Sequence, residues 1–378
     1  MRGTALRVAL IFLLLASLAG CRESPLPGVF SSPAAARGTS TPVITDQAAA
    51  RPSVSLSPTP TPAAHDASRT AAKVQLPQDD AAHPAGIEWW YFNGHLEAED
   101  RSRYGFHFVF FKVRVGDVYV LLGQLALTDH QQSAFVYDQR LGGETLQPQR
   151  GFEAAIGDWR MSGFGGEFRL RGSAQGRAFD LQTMSTKGPA LHGDGGIVDF
   201  VVAGSSAYYS YPRLGLSGTV SDQGVTKPVA GLAWMDHQWG DLQTQMIGWD
   251  WFSLQLDDGT DVMLSVVRDR EGQVVLRYGT VVDGHGVSRP VTSGEFVVVP
   301  LETWRSPRTG IEYPSKWELS MPSLGLSVVI TPVLRNAEFA AADRNVPAYW
   351  EGEVTVVGVE RGAPMSGLGF VELVGYGE

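Results

Sequence analysis

The sequence predicts an all-β body of two tandem barrel-like or sandwich-like units behind a secretion leader and a disordered tether. Three observations predict it. Short strand patterns broken by Gly and Asp-Gly turns fill the chain after residue 83, no long amphipathic helix interrupts them, and two stretches repeat one β pattern.

The strand signals come first. Tyr104-Gly105-Phe106-His107-Phe108-Val109-Phe110-Phe111 puts Phe106, Phe108 and Phe110 on one face, because successive strand side chains point to opposite sides. Further patterns lie at 118–127, 261–267, 296–299, 326–330 and 353–357, while Asp257-Asp258-Gly259 and Asp283-Gly284 carry hairpin-type turns. A short helix over 336–344 is the one exception expected.

The repeat is read from two echoes. Pro228-Val229-Ala230-Gly231-Leu232-Ala233-Trp234-Met235-Asp236 parallels Pro364-Met365-Ser366-Gly367-Leu368-Gly369-Phe370-Val371-Glu372, and Glu88-Trp89-Trp90 parallels Asp250-Trp251-Phe252. Two copies of one β unit follow, placed at 81–240 and 241–378. Closing such units into barrels removes sheet edges and leaves room for a small ligand.

The N-terminus reads as an address. Arg2 and Arg7 precede the apolar run 8–15, then Leu18-Ala19-Gly20-Cys21, the layout of a signal peptide over 1–20. That run is shorter than the roughly 20 residues a membrane-spanning helix needs, so an uncleaved anchor is the weaker alternative. Cys21, the single cysteine, sits where a lipobox cysteine is lipidated, which places the protein in the cell envelope, extracytoplasmic and held to a membrane by lipid. Residues 21–80 are rich in Pro, Ala, Ser and Thr, including Pro58-Thr59-Pro60-Thr61-Pro62, and read as a tether; all ten tryptophans lie at Trp89 or later. Without the leader, 28 Lys and Arg face 40 Asp and Glu, a formal charge of −12, which excludes nucleic acid as the main partner.

Candidate chemistry appears where the two copies differ. After the shared acid the first copy continues Asp236-His237-Gln238-Trp239-Gly240, the second Glu372-Leu373-Val374-Gly375-Tyr376. On a strand His237 and Trp239 share one side and Asp236 takes the other. An imidazole trades protons near neutral pH and an indole face stabilises positive charge, so the pair suits acid-catalysed addition to an alkene. The plainer alternative is a half-buried histidine beside a core tryptophan. The other histidines show no paired metal-ligand spacing, so neither a metal nor another cofactor is expected, and no phosphate loop or nucleophile elbow is present.

Taken together, Glu88-Trp89-Trp90-Tyr91-Phe92-Asn93-Gly94-His95-Leu96, Tyr208-Tyr209-Ser210-Tyr211-Pro212, Asp236-His237-Gln238-Trp239-Gly240 and Gly248-Trp249-Asp250-Trp251-Phe252 resemble the carotenoid 1,2-hydratase (hydroxyneurosporene synthase) and AttH-like superfamily. The resemblance spans nearly all of the chain after the tether. It implies two lipocalin-like domains with a site near their junction, and a reaction that adds water to a terminal double bond of an acyclic carotenoid without a redox cofactor. His237 and Trp239 match the family's His-x-Trp pair. Its Tyr-x-Asp pair on a following strand is not matched, since 261–267 offers Met263, Leu264, Ser265, Val266 and Val267.

The candidate catalytic residues are therefore His237, Trp239 and Asp236. The candidate ligand-binding residues are Glu88, Trp89, Trp90, Tyr91, Tyr209, Tyr211, Trp249, Asp250 and Trp251. The function expected first is binding of an apolar isoprenoid, carotenoid or lipid at the junction of the two β domains; the alternatives are a cofactor-independent hydratase or lyase acting on an isoprenoid double bond and an accessory subunit of an envelope export system.

Overall fold

A computed structural model of the chain describes residues 73–142, 144–146, 148–340 and 347–377. The leader, Cys21 and the tether to residue 72 lie outside the described residues.

The body is all-β, built as two antiparallel sheets. The first begins with β1 (Ile87–Ala98), β2 (Arg103–Val115), β3 (Val118–Asp129), β4 (Ala134–Leu141), β5 (Glu144–Leu146), β6 (Phe152–Ile156) and β7 (Trp159–Phe164). It continues through β8 (Glu167–Ala174), β9 (Arg177–Ser185), β10 (Ala190–Leu191), β11 (Ile197–Asp199), β12 (Ser205–Asp222) and β13 (Val225–Gly240). The second begins with β14 (Ile247–Leu256), β15 (Asp261–Asp269), β16 (Val274–Val282), β17 (Ser288–Val291) and β18 (Val297–Arg305). It closes with β19 (Glu312–Met321), β20 (Leu326–Pro332), β21 (Glu338–Phe339), β22 (Tyr349–Glu360) and β23 (Ala363–Val374). Among the described residues the helical elements are two 3-10 turns, η1 (Gln78–Asp80) and η2 (Thr244–Met246).

Both sheets have the same wiring. The order β4-β3-β2-β1-β13-β12-β9-β8-β7-β6-β5 sets the first strand between the second and the last, and β17-β16-β15-β14-β23-β22-β20-β19-β18 does the same. The strand register also corrects one of the echoes. Tyr91 lies opposite Asp236 and Trp251 opposite Glu372, so Trp89-Trp90-Tyr91-Phe92 corresponds to Trp249-Asp250-Trp251-Phe252. The echo read from Glu88 and Asp250 is two residues out.

Burial follows the strand period. β8 and β9 alternate, with Phe168, Leu170, Phe179 and Leu181 inside, as do Phe106, Phe108 and Phe110 of β2, which join Trp90, Phe92 and Trp159 in the first core. Each such side chain contributes about 1.5–3 kcal/mol by leaving water. Phe252, Trp317 and Trp350 anchor a second core inside the second sheet. A third lies between the sheets, where Tyr91, Val109, Tyr208 and Trp234 meet Trp251, Met263 and Phe370. β1 and β2 are consequently buried on both faces. Gly94 marks one close approach there: a Cβ would stand 2.5 Å from the Phe106 ring and 2.7 Å from the Leu232 carbonyl.

Asp257-Asp258-Gly259 and Asp283-Gly284 form the β14–β15 and β16–β17 turns, with Gly259 at φ +88°. The helix expected over 336–344 is not formed in its described part. Residues 338 and 339 pair with β22 instead, because buried Glu338 takes hydroxyl hydrogen bonds from Ser306, Thr309 and Tyr313, and Phe339 stacks on Tyr349 at 4.9 Å. The body also begins earlier than residue 81. Val74 packs in the first core, and Asp80 is fully buried.

A buried ion triad ties the sheets together: Lys187 after β9 and Arg213 of β12 reach Asp261 of β15 at 2.7 and 2.8 Å. Asp261→Ala leaves two largely buried cations without their carboxylate and is expected to cost about 3 kcal/mol, measured as a lower urea midpoint; an unchanged midpoint would discount the triad.

Candidate functional site

Strand β13 supplies the centre. Met235 and His237 point into the first core and Trp239 follows them at the barrel mouth, while Asp236 and Gln238 face away. Register sets His237 between Trp90 of β1 and Tyr209 of β12, with Trp90 and Trp239 ring centroids at 4.9 and 4.7 Å.

Fully buried Glu88, two residues before Trp90, organises the cluster. Its Oε1 accepts from His237 Nε2 at 2.9 Å and His83 Nδ1 at 2.8 Å, and its Oε2 accepts from the His83 backbone N–H at 2.9 Å and Lys112 Nζ at 3.0 Å. Burial pushes the Glu88 carboxyl up, but the hydrogen bonds from His237 and His83 and the charges around it outweigh this and hold it at about 2. His83 stacks on Trp239 at 3.9 Å.

The other nitrogen of His237 leads to an acid. Nδ1 lies 3.1 Å from the Tyr209 hydroxyl, and that hydroxyl donates to Asp80 Oδ1 at 2.5 Å. The Gly165 N–H caps Asp80 Oδ2 at 2.6 Å. Burial raises the Asp80 pKa against those hydrogen bonds, and burial lowers that of His237 against Glu88. The single hydrogen of Tyr209 can go to Asp80 or to His237 Nδ1, so the hydroxyl stands as a switchable link between the acid and the imidazole that Glu88 holds.

His83, Glu88 and His237 each offer one atom that an ion would need, all within 4.8 Å of one another. The ammonium of Lys112 already stands against the same carboxylate and opposes a second cation there. As they stand, these residues form a hydrogen-bonded cluster.

The opposite face of β13 holds a separate network. Asp236 accepts from Tyr208 at 2.6 Å, Trp234 Nε1 at 2.6 Å and Ser210, and Trp251 Nε1 donates to Tyr208 at 3.0 Å. His192 touches Ser210 Oγ at 2.7 Å, yet this is no nucleophilic triad: the Ser210 hydrogen is spent on Asp236, so His192 can only donate to it. Tyr91 donates to Glu351 at 2.8 Å and Trp249 to Glu372 at 2.8 Å. Burial pushes Asp236 to about 6 and Glu372 to about 7, hydrogen bonds notwithstanding.

The residues singled out from sequence thus divide. His237, Trp239, Glu88, Trp90 and Tyr209 meet at the barrel mouth, and Tyr211 lies beside Tyr209 at 5.9 Å. Asp236, Tyr91 and Trp251 belong to the inter-sheet network, on the face away from His237, and half-buried Trp89 and Trp249 pack against the same core. Asp250 is occupied elsewhere, paired with Arg268 at 2.8 Å and accepting from Tyr376 at 2.8 Å. Asp80, His83 and Lys112 were missed. Asp80 fell in the stretch read as tether, though an acidic pair and a histidine just ahead of the Glu88 strand were a usable signal.

A model of the family described as AttH-like matches residues 67–376. Among solved structures, one assigned as an AttH protein from Nitrosomonas europaea superposes with a TM-score of 0.72 at 28% identity, covering 82% of this chain and 98% of that one. Kievitone hydratase from Nectria haematococca superposes with a TM-score of 0.68 at 17% identity, covering 81% and 94%. None of the curated proteins matches the chain.

The raised inter-sheet acids set a pH dependence. A carboxyl whose folded pKa exceeds its unfolded value favours folding while protonated and gives that stability up as pH climbs between the two values. Relative to Glu372→Gln, the natural protein is expected to lose stability between pH 4.5, the ordinary value, and about 7. Paired urea titrations across that window check it, and a constant difference would refute it.

Proposed function

The chain belongs to the AttH-like family, and from that footing we propose that it is a cofactor-independent hydratase or lyase acting on a carbon–carbon double bond of an apolar, isoprenoid-like ligand. The observation that carries this is the buried Asp80–Tyr209–His237–Glu88 chain lying against the Trp90 and Trp239 rings.

Hydration of an alkene needs an acid to start it and a base to finish it. Burial holds Asp80 toward its protonated form. Its proton forms the new C–H bond, and the indole faces stabilise the cation left on the other carbon. Water attacks that carbon and gives up a proton to His237, which burial keeps toward its neutral form. Tyr209 passes the proton back to Asp80, so acid and base are restored and one water is added. Glu88 fixes the imidazole with Nε2–H pinned and Nδ1 turned to Tyr209. In this reading the Tyr and Asp come from β12 and the N-terminal segment rather than from β15.

A second reading is a binder without turnover. It is favoured by the seating of Asp80 and His83 in the barrel mouth, which leaves His237 with no exposed surface. The lipid at Cys21, a cell-envelope location and an export-system partner are further parts of the proposal that rest on sequence; no helix among the described residues is long and apolar enough to cross a membrane.

The test is incubation with acyclic isoprenoids and polyenes in 18O-labelled water, followed by mass spectrometry. Gain of one labelled water is expected, with Asp80→Asn slower by about 10²–10⁴-fold and turnover falling as pH rises through the raised Asp80 pKa. Saturable binding without label uptake would establish the second reading in its place.

A further inference from the structure

Immediately beside Asp80 the surface opens into a hollow of about 460 Å³, lined by Gln78, Ala81, Pro148, Arg150, Gly151 and Phe164 among others. That volume lies within the roughly 300–1,000 Å³ of small-molecule sites. Its position is set by the acid's own neighbours: Gln78 and Ala81 flank Asp80 in the chain, and Phe164 precedes the Gly165 N–H that caps Asp80 Oδ2. The hollow thus adjoins the two chain segments that hold Asp80.

The lining has two characters. Phe164, Ala81 and Pro148 offer apolar surface. Arg150 is the one charged side chain, exposed, and makes no ion pair among the described residues; its guanidinium lies 5.8 Å from the Phe164 ring centroid. On a chain of net charge −10, a guanidinium left without a carboxylate at the rim of an apolar hollow is suited to an anion brought by the ligand.

We propose that this hollow is the ligand-entry subsite, and that it takes an amphiphile with an anionic head, carboxylate or phosphate, paired to Arg150 and an unsaturated apolar body laid over Phe164 and Ala81. This rests on the hydratase reading only for what happens next. Binding in the hollow places the ligand against the segment that carries Asp80.

The probe pair is cis-parinaric acid and its methyl ester, which share one fluorescent polyene and differ in the charge of the head. At about pH 8, where the carboxyl is ionised, the protein is expected to bind the acid saturably and in preference to the ester. Arg150→Gln should erase about tenfold of that preference, the size of one lost charge-assisted contact, and Phe164→Ala should weaken both probes. Arg361→Gln, in the exposed β22–β23 turn, should change neither, and competition by a prenyl phosphate against a fatty acid then tells which head is preferred. Equal binding of acid and ester, or an Arg150→Gln protein indistinguishable from the natural one, overturns the subsite. Label uptake by neutral polyenes together with that result would overturn the subsite and leave the hydratase reading standing. Acid-selective binding with no label uptake from any polyene would leave the subsite standing and overturn hydration.

Discussion

The buried carboxylate of Glu88 is the constraint from which the barrel mouth follows. An ionised acid removed from water survives only when its lone pairs are filled by donors, at best charged ones. Glu88 meets this with two imidazoles, a backbone N–H and the Lys112 ammonium. Each partner then constrains the chain that carries it. The segment before β1 must turn back over the mouth so that His83 reaches Glu88 with both ring and backbone, and that turn carries Asp80 into the barrel. His237 must give its Nε2–H to Glu88, which leaves Nδ1 for Tyr209. The order of the proton chain is a consequence of satisfying one buried charge.

The same residue class behaves in the opposite way one face over. Asp236 is buried and Glu372 half-buried, but their donors are neutral hydroxyl and indole groups, and both are pushed up rather than down. Glu353 makes the contrast complete. It bridges the sheets beside His95 and His130, each at 2.7 Å, and although burial works against it, those hydrogen bonds hold it at about 2. Two imidazoles stand against each of the acids held low, Glu88 and Glu353, whereas hydroxyl and indole donors leave Asp236 and Glu372 raised. On the inward face of β13 the raised acid is Asp80, which Tyr209 sets beside His237.

The all-β character, the aromatic face of β2 and the pairing of His237 with Trp239 were legible because each depends on a period of two, which sequence displays directly. The same alternation puts Asp236 and His237 on opposite faces of their strand. What stayed hidden depends on long-range return of the chain. Glu88 and His237 stand 149 residues apart, and nothing local says that they meet. Asp80 was concealed by its company, since a Pro- and Ala-rich stretch satisfies the composition of a tether whether or not its last residues fold back. The helix expected near residue 336 failed for a related reason: the hydroxyls that hold Glu338 come from another hairpin.

The duplication shows how differently the two halves fill one architecture. With the strand register aligned, His237 corresponds to Leu373, Tyr209 to Trp350 and Trp90 to Asp250, whose charge is taken by Arg268. The second sheet thus fills the same architectural position with apolar bulk and one locally paired acid, and among the described residues it lacks any counterpart of the segment that brings Asp80 and His83. A shared topology therefore yields two different interiors: the second is a packed support, and the first keeps a polar chain at its mouth because Glu88 holds it there. The outward faces meet in the seam that joins them, so the supporting half fixes β1 and β13 from behind while their inward faces remain committed to His237.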